Sequence, residues 1–157
     1  MYTDRHSFGI PIRGELPQYA ILMVMHRGIF VNLPVKDLKA SVEFFTKLGY
    51  SFDPKFTDDN ASCMLIGENI YAMLLVEPFF TSFIPNPVSD TSKASEVIIA
   101  LTCESAAEVD ELTSRAIAAG ATQHKQPSDL GFMYSSMFQD LDGHFWEPFW
   151  MDQTQIQ

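Results

Sequence analysis

Val35-Lys-Asp-Leu-Lys-Ala-Ser-Val-Glu-Phe-Phe-Thr-Lys-Leu-Gly49 is the stretch that decides the fold. Asp37 is a helix cap, because a short carboxylate can accept the orphan amides of a first turn. Leu38, Val42, Phe45 and Leu48 then recur at the helical period, and Gly49 is a natural stop. The stretch predicts a helix from about Asp37 to Leu48. An apolar run, Gly28 to Pro34, precedes it as a strand. Three short apolar runs follow near 50–56, 61–66 and 70–76, and Gly67-Glu-Asn69 reads as the turn of the last hairpin.

The same order returns downstream. Glu96 to Cys103 is a strand, and Ser105-Ala-Ala-Glu108 is a capping box. Val109, Leu112, Ala116 and Ala119 form a helical stripe that Gly120 ends. Strands are expected at about 121–125, 132–139 and 144–151, with Asp140-Leu-Asp-Gly143 as the last turn. The two caps, Asp37 and Ser105, lie 68 residues apart, and this offset sets Phe30 against Ile98 and Asn32 against Ala100. An internal repeat of this length fixes a fold. The class is α+β: two βαβββ modules, 28–77 and 94–152, form one domain as a pseudo-twofold, incomplete barrel around a central cavity. Residues 1–27 are an N-terminal extension, 78–93 a linker and 153–157 a tail.

Bulk composition bounds the rest. The chain has 157 residues, enough for one ordinary domain, and 46% are apolar, enough for a sizeable core. A net charge of −10 repels phosphate backbones and anionic lipid, so neither nucleic acid nor membrane is an expected partner. Tyr19-Ala-Ile-Leu-Met-Val-Met25 is too short to span a bilayer. Cys63 and Cys103 lie in separate apolar runs and read either as a disulfide or, as preferred here, as buried free thiols, which suits a reducing cytoplasm. In the linker, Phe79, Phe80 and Phe83 sit among prolines, either as a loop packed on the core or as a lid or arm.

The segment Phe138-Gln-Asp-Leu-Asp-Gly-His-Phe-Trp-Glu147 places one carboxylate inside an apolar strand. Burying it ionised costs several kcal/mol unless it meets a cation or donors. Glu147 is therefore a ligand contact, a general base, or a structural carboxylate paired with donors. His144 reads as a turn or surface residue, and Asp140 and Asp142 as turn formers, since the ligand spacing of a calcium loop is absent. His124 and Tyr134 lie on strands whose facing the sequence does not fix. No phosphate loop, nucleophile elbow or cysteine–histidine pairing is found.

The segments Val35–Gly49 and Phe138–Glu147, in this order, resemble the vicinal oxygen chelate superfamily, which includes glyoxalase I, bleomycin-resistance proteins and extradiol dioxygenases. The chain is most similar to small glyoxalase-related bacterial proteins. The resemblance implies a homodimer, and in the metal enzymes a site built from four positions that correspond here to Phe30, Leu74, Ile98 and Glu147. Three of these are apolar, so no metal or other cofactor is expected. A cation would have one protein ligand where tight sites use three or four.

Residues two apart in a strand share a face. If Glu147 points inward, Phe145 and Phe149 do too. Asn32 and Pro34 would accompany Phe30, Ala72 and Val76 would accompany Leu74, and Ala100 and Thr102 would accompany Ile98. The resulting pocket is greasy, with Asn32, Thr102 and Glu147 as its polar groups. This suits a metal-free binder of a small, partly apolar organic molecule. The alternative is a lyase related to lactoylglutathione lyase, with Glu147 as base or metal ligand.

Overall fold

The computed structural model describes residues 25–155. Most of the N-terminal extension, including Tyr19 to Val24, lies outside the described residues. The order of elements is β1 (Ile29–Val35), α1 (Leu38–Leu48), β2 (Ser51–Asp53), β3 (Ala61–Gly67), β4 (Ile70–Val76), α2 (Glu77–Thr81), β5 (Ile98–Thr102), α3 (Ala106–Ala119), β6 (Ser128–Asp129), β7 (Met133–Ser135), β8 (Phe138–Gln139) and β9 (Phe145–Met151). Two mixed sheets result, one ordered β1-β4-β3-β2 and one ordered β5-β9-β7-β6, with β8 also paired to β9. No barrel closes. Among the described residues, no helix is long and apolar enough to cross a membrane.

Both predicted helices begin and end where their caps place them. The Asp37 carboxylate accepts the Ala40 amide, and the Ser105 hydroxyl accepts the Glu108 amide. Gly49 and Gly120 end the helices in the left-handed conformation. The buried face of α1 is wider than its predicted stripe. Ser41 and Phe44 are buried beside Phe45 and Leu48, because α1 packs both on its own sheet and on the second module. Phe45 meets the Trp146 ring at 5.1 Å and Phe44 meets the Phe138 ring at 6.5 Å. Full burial of each such ring contributes about 2–3 kcal/mol.

The second module departs from expectation between α3 and its last turn, where a short strand, β6, appears unforeseen. The strand foreseen at 121–125 is reduced to one bridge, Thr122 to Gln139. The strand foreseen at 132–139 breaks into β7 and β8 around the buried Ser136, whose amide bonds to the Pro148 carbonyl. Pro148 has no amide of its own to complete a regular ladder there. The linker also holds a short helix, α2, and later touches the last turn through Thr91, whose hydroxyl donates to the Asp142 carbonyl at 2.6 Å. A Cβ on Gly143, which has φ +89°, would lie 2.5 Å from that same hydroxyl, so the approach requires glycine.

Candidate functional site: the concave sheet faces

Strand register decides which side chains share a face. In the first sheet Phe30 pairs with Tyr71, Asn32 with Met73 and Pro34 with Leu75. In the second, Ile98 pairs with Phe145, Ala100 with Glu147 and Thr102 with Phe149. These residues face away from α1 and α3 and form two concave faces. On the opposite faces, Leu33, Leu74, Ala72 and Trp146 lie in the common core with both helices.

Leu74 is therefore misplaced in the expected pocket. It pairs with Leu33 and is fully buried in the helix layer, as is Ala72, and Val76 pairs with Val35 on that same side. The parallel β1–β4 register puts even-numbered residues of β1 beside odd-numbered residues of β4, so Met73 and Tyr71 accompany Phe30. A family position transferred by spacing alone does not carry this parity. The other expected residues, Phe30, Asn32, Ile98, Thr102, Phe145, Glu147 and Phe149, do lie on the concave faces by register.

Those faces are open. Phe30 and Ile98 are each 52% exposed, and Asn32, Ala100 and Thr102 are exposed as well. The modules meet through α1 and α3 and through the last turn, which reaches the end of β1. Arg115 of α3 reaches the Leu48 carbonyl at 3.4 Å. The outer strands β1 and β5 each keep one edge free of a strand partner. Phe30 stacks on Tyr71 with ring centroids 4.4 Å apart, giving the first face a flat aromatic wall.

Glu147 is half-buried between Phe145 and Phe149, opposite the small Ala100. Among the described residues no donor bonds to its carboxylate, so the structural pairing that would neutralise it is missing. The donors expected of a divalent-cation site are missing too. Phe30, Ile98 and either Leu74 or Met73 offer no nitrogen or oxygen ligand, and no cluster of three His, Cys, Asp or Glu side chains occurs among the described residues. Cys63 is buried and Cys103 half-buried, both free. Burial raises the pKa of each thiol, so neither is an activated nucleophile.

His144 is not a surface residue. It is 2% exposed and wedged between the modules. Its Nε2 donates to the Pro34 carbonyl at 2.8 Å, while Nδ1 stands 2.9 Å from a Glu96 oxygen, off the line of a hydrogen bond. The turn before it is equally structural. Asp140 accepts the Trp146 indole N–H at 2.8 Å and the amides of Asp142 and His144 at 3.0 Å. Burial pushes the Asp140 carboxyl above its usual range, against the pull of His144 and these donors. Asp142 reaches into the first module, taking the Lys36 amide at 2.8 Å and the Ser41 hydroxyl at 2.7 Å. The only sequence signal for this role is the pairing of Ser41, a polar residue within an apolar helix, with an acidic turn.

His124 and Tyr134 separate. Tyr134 faces α3 and donates to Asp110 at 2.8 Å. His124 sits at the rim of the second concave face, its ring 6.2 Å from Phe145. The described linker aromatics divide as well: Phe79 and Phe83 pack edge to face and stay exposed.

Residues 27–67 match the family model described as bleomycin resistance protein-like N-terminal. A comparison with curated proteins finds no match. Among solved structures, a hypothetical protein from S. aureus is 25% identical over 83% of this chain and 98% of its own, with a TM-score of 0.70. A glyoxalase/bleomycin resistance protein/dioxygenase from Nocardioides is 24% identical, over 86% and 91% of the two chains, at a TM-score of 0.64. A genomically encoded fosfomycin resistance protein from Listeria monocytogenes is 21% identical, over 84% and 98%, at 0.60.

Proposed function

Because this chain has the vicinal oxygen chelate fold, with a bleomycin-resistance-like first module, we propose that it binds a small, partly apolar organic molecule against its concave faces without a tightly held metal. One observation carries the reading: carbon side chains occupy the positions where relatives in this superfamily place cation ligands, and Glu147 alone offers a charge there. Such a face, greasy with Asn32, Thr102 and Glu147 as isolated polar contacts, suits an organic guest better than an ion.

We further propose that the bound form is a homodimer. The faces of one chain do not cover each other, and Phe30 and Ile98 stand in water at the free edges β1 and β5. Free apolar edges of this kind are normally covered. A second copy would supply the missing wall. A cytoplasmic location belongs to the same proposal, supported by the two free thiols.

A second reading is favoured by the bare Glu147 carboxylate. In a lyase related to the glyoxalases it would abstract a proton from a carbon acid lying on Phe145 and Phe149. Thermal melting across a panel of aromatic, glutathione-conjugate and antibiotic compounds tests the first reading: binding raises the melting temperature by mass action, and a flat response across the panel contradicts it. Any turnover found should vanish in Glu147→Gln. Undiminished turnover removes Glu147 from the mechanism.

A further inference from the structure

At the end of the second concave face, a cavity of about 240 Å³ opens between Ile98, Phe145, Met137 and Phe138, with His124 and Lys125 at its rim. We infer that this cavity takes a small aromatic or branched aliphatic carboxylate, its apolar body against Ile98, Phe145 and Met137 and its anionic group on Lys125. The inference rests on the binding reading above and names the ligand class for that face.

The lining is almost wholly carbon, so the body of the guest must be apolar. The volume is below that of pockets for drug-sized ligands, which suits a single ring or a short branched chain. Lys125 gives the rim a positive charge. No acidic side chain lines the cavity, and among the described residues Lys125 makes no ion pair. In a chain of net charge −10 this is a local inversion.

The orientation of His124 is built in. The Gln139 amide nitrogen donates to the Gly143 carbonyl at 3.0 Å, which leaves its Oε1 as an acceptor. That oxygen lies 2.6 Å from His124 Nε2, so Nε2 carries the hydrogen and Nδ1 is the free nitrogen. The ring is thereby held at the rim, tilted beside Phe145. Glu147, the next concave residue along β9, sets the polarity: a second carboxylate is repelled there, so the anion of the guest belongs at the Lys125 end.

The test is a ¹⁵N-resolved NMR titration of the full chain with phenylacetate, phenylacetamide and 2-phenylethylammonium. Phenylacetate should bind about tenfold more tightly than the amide, because only the acid forms an ion pair with Lys125, and the cation should bind weakest. Lys125→Gln should remove that preference. Met137→Trp, which fills the cavity, should abolish all three. Equal binding of acid and amide, or a preference that survives Lys125→Gln, overturns this inference and leaves the binding reading standing. Failure of all three probes also overturns it. If the wider panel is then silent as well, the binding reading falls too.

Discussion

The Asp142 carboxylate accepts the Ser41 hydroxyl at 2.7 Å across 101 residues of chain, tying the last turn of the second module to the first helix of the first. Its other oxygen takes the Lys36 amide. The Ser41 contact is buried and the Lys36 contact partly so, and removing the acceptor leaves the buried hydroxyl with no replacement. Asp142→Ala should destabilise the fold by about 2–3 kcal/mol, and Asp142→Asn, which keeps one acceptor oxygen, by less. Urea unfolding of both variants measures this; equal stability of Asp142→Ala and the parent would show the contact to be dispensable.

Tyr50 gives an alkaline signature. Its hydroxyl is pushed up to about 12, first by burial and then by the neighbouring Cys103 and Glu108. A tyrosine in the unfolded chain ionises near 10. The folded state therefore holds the proton longer, and its stabilising effect is complete below about pH 10 and is lost as pH climbs towards about 12. The loss is roughly 2–3 kcal/mol. Comparing urea midpoints of the parent and Tyr50→Phe across this window isolates it. The parent should fall more steeply, and parallel curves would contradict the assignment.

The open concave faces predict association. Phe30→Glu places a charge at the exposed edge of β1, where it costs the monomer little because that side chain already meets water. In a dimer covering this edge the charge would be buried without a partner, at a cost of several kcal/mol. Sedimentation should find a dimer for the parent and a monomer for Phe30→Glu, with the melting of the isolated chain little changed. A parent that sediments as a monomer at high concentration would remove the second copy from the account.

Much of this architecture was legible because it rests on local rules. Asp37, Ser105, Gly49 and Gly120 mark the helix ends by chemistry confined to a few residues, and the 68-residue offset between the caps exposes the repeat. What escaped depends on pairing between distant residues. Leu74 changes face because its neighbour is Leu33 in a parallel register that no local pattern encodes. His144 and Asp142 look like turn residues until the first module supplies Pro34, Lys36 and Ser41 as partners. The strands around 121–139 are shorter than their sequence predicts for a related reason: apolar character predicts burial there, but Ser136 and Pro148 interrupt the ladder. Parity alone placed Phe145, Glu147 and Phe149 on one face, since a single strand fixes it without reference to any other.

The proposal that the concave faces serve an organic guest, and not a cation, sets a clear expectation for metal binding. Equilibrium dialysis of chelator-free protein against zinc, manganese and nickel, followed by elemental analysis, tests it most directly. Far less than one ion per chain is expected, with Glu147→Gln no different from the parent. One ion per chain, lost on Glu147→Gln, would contradict it.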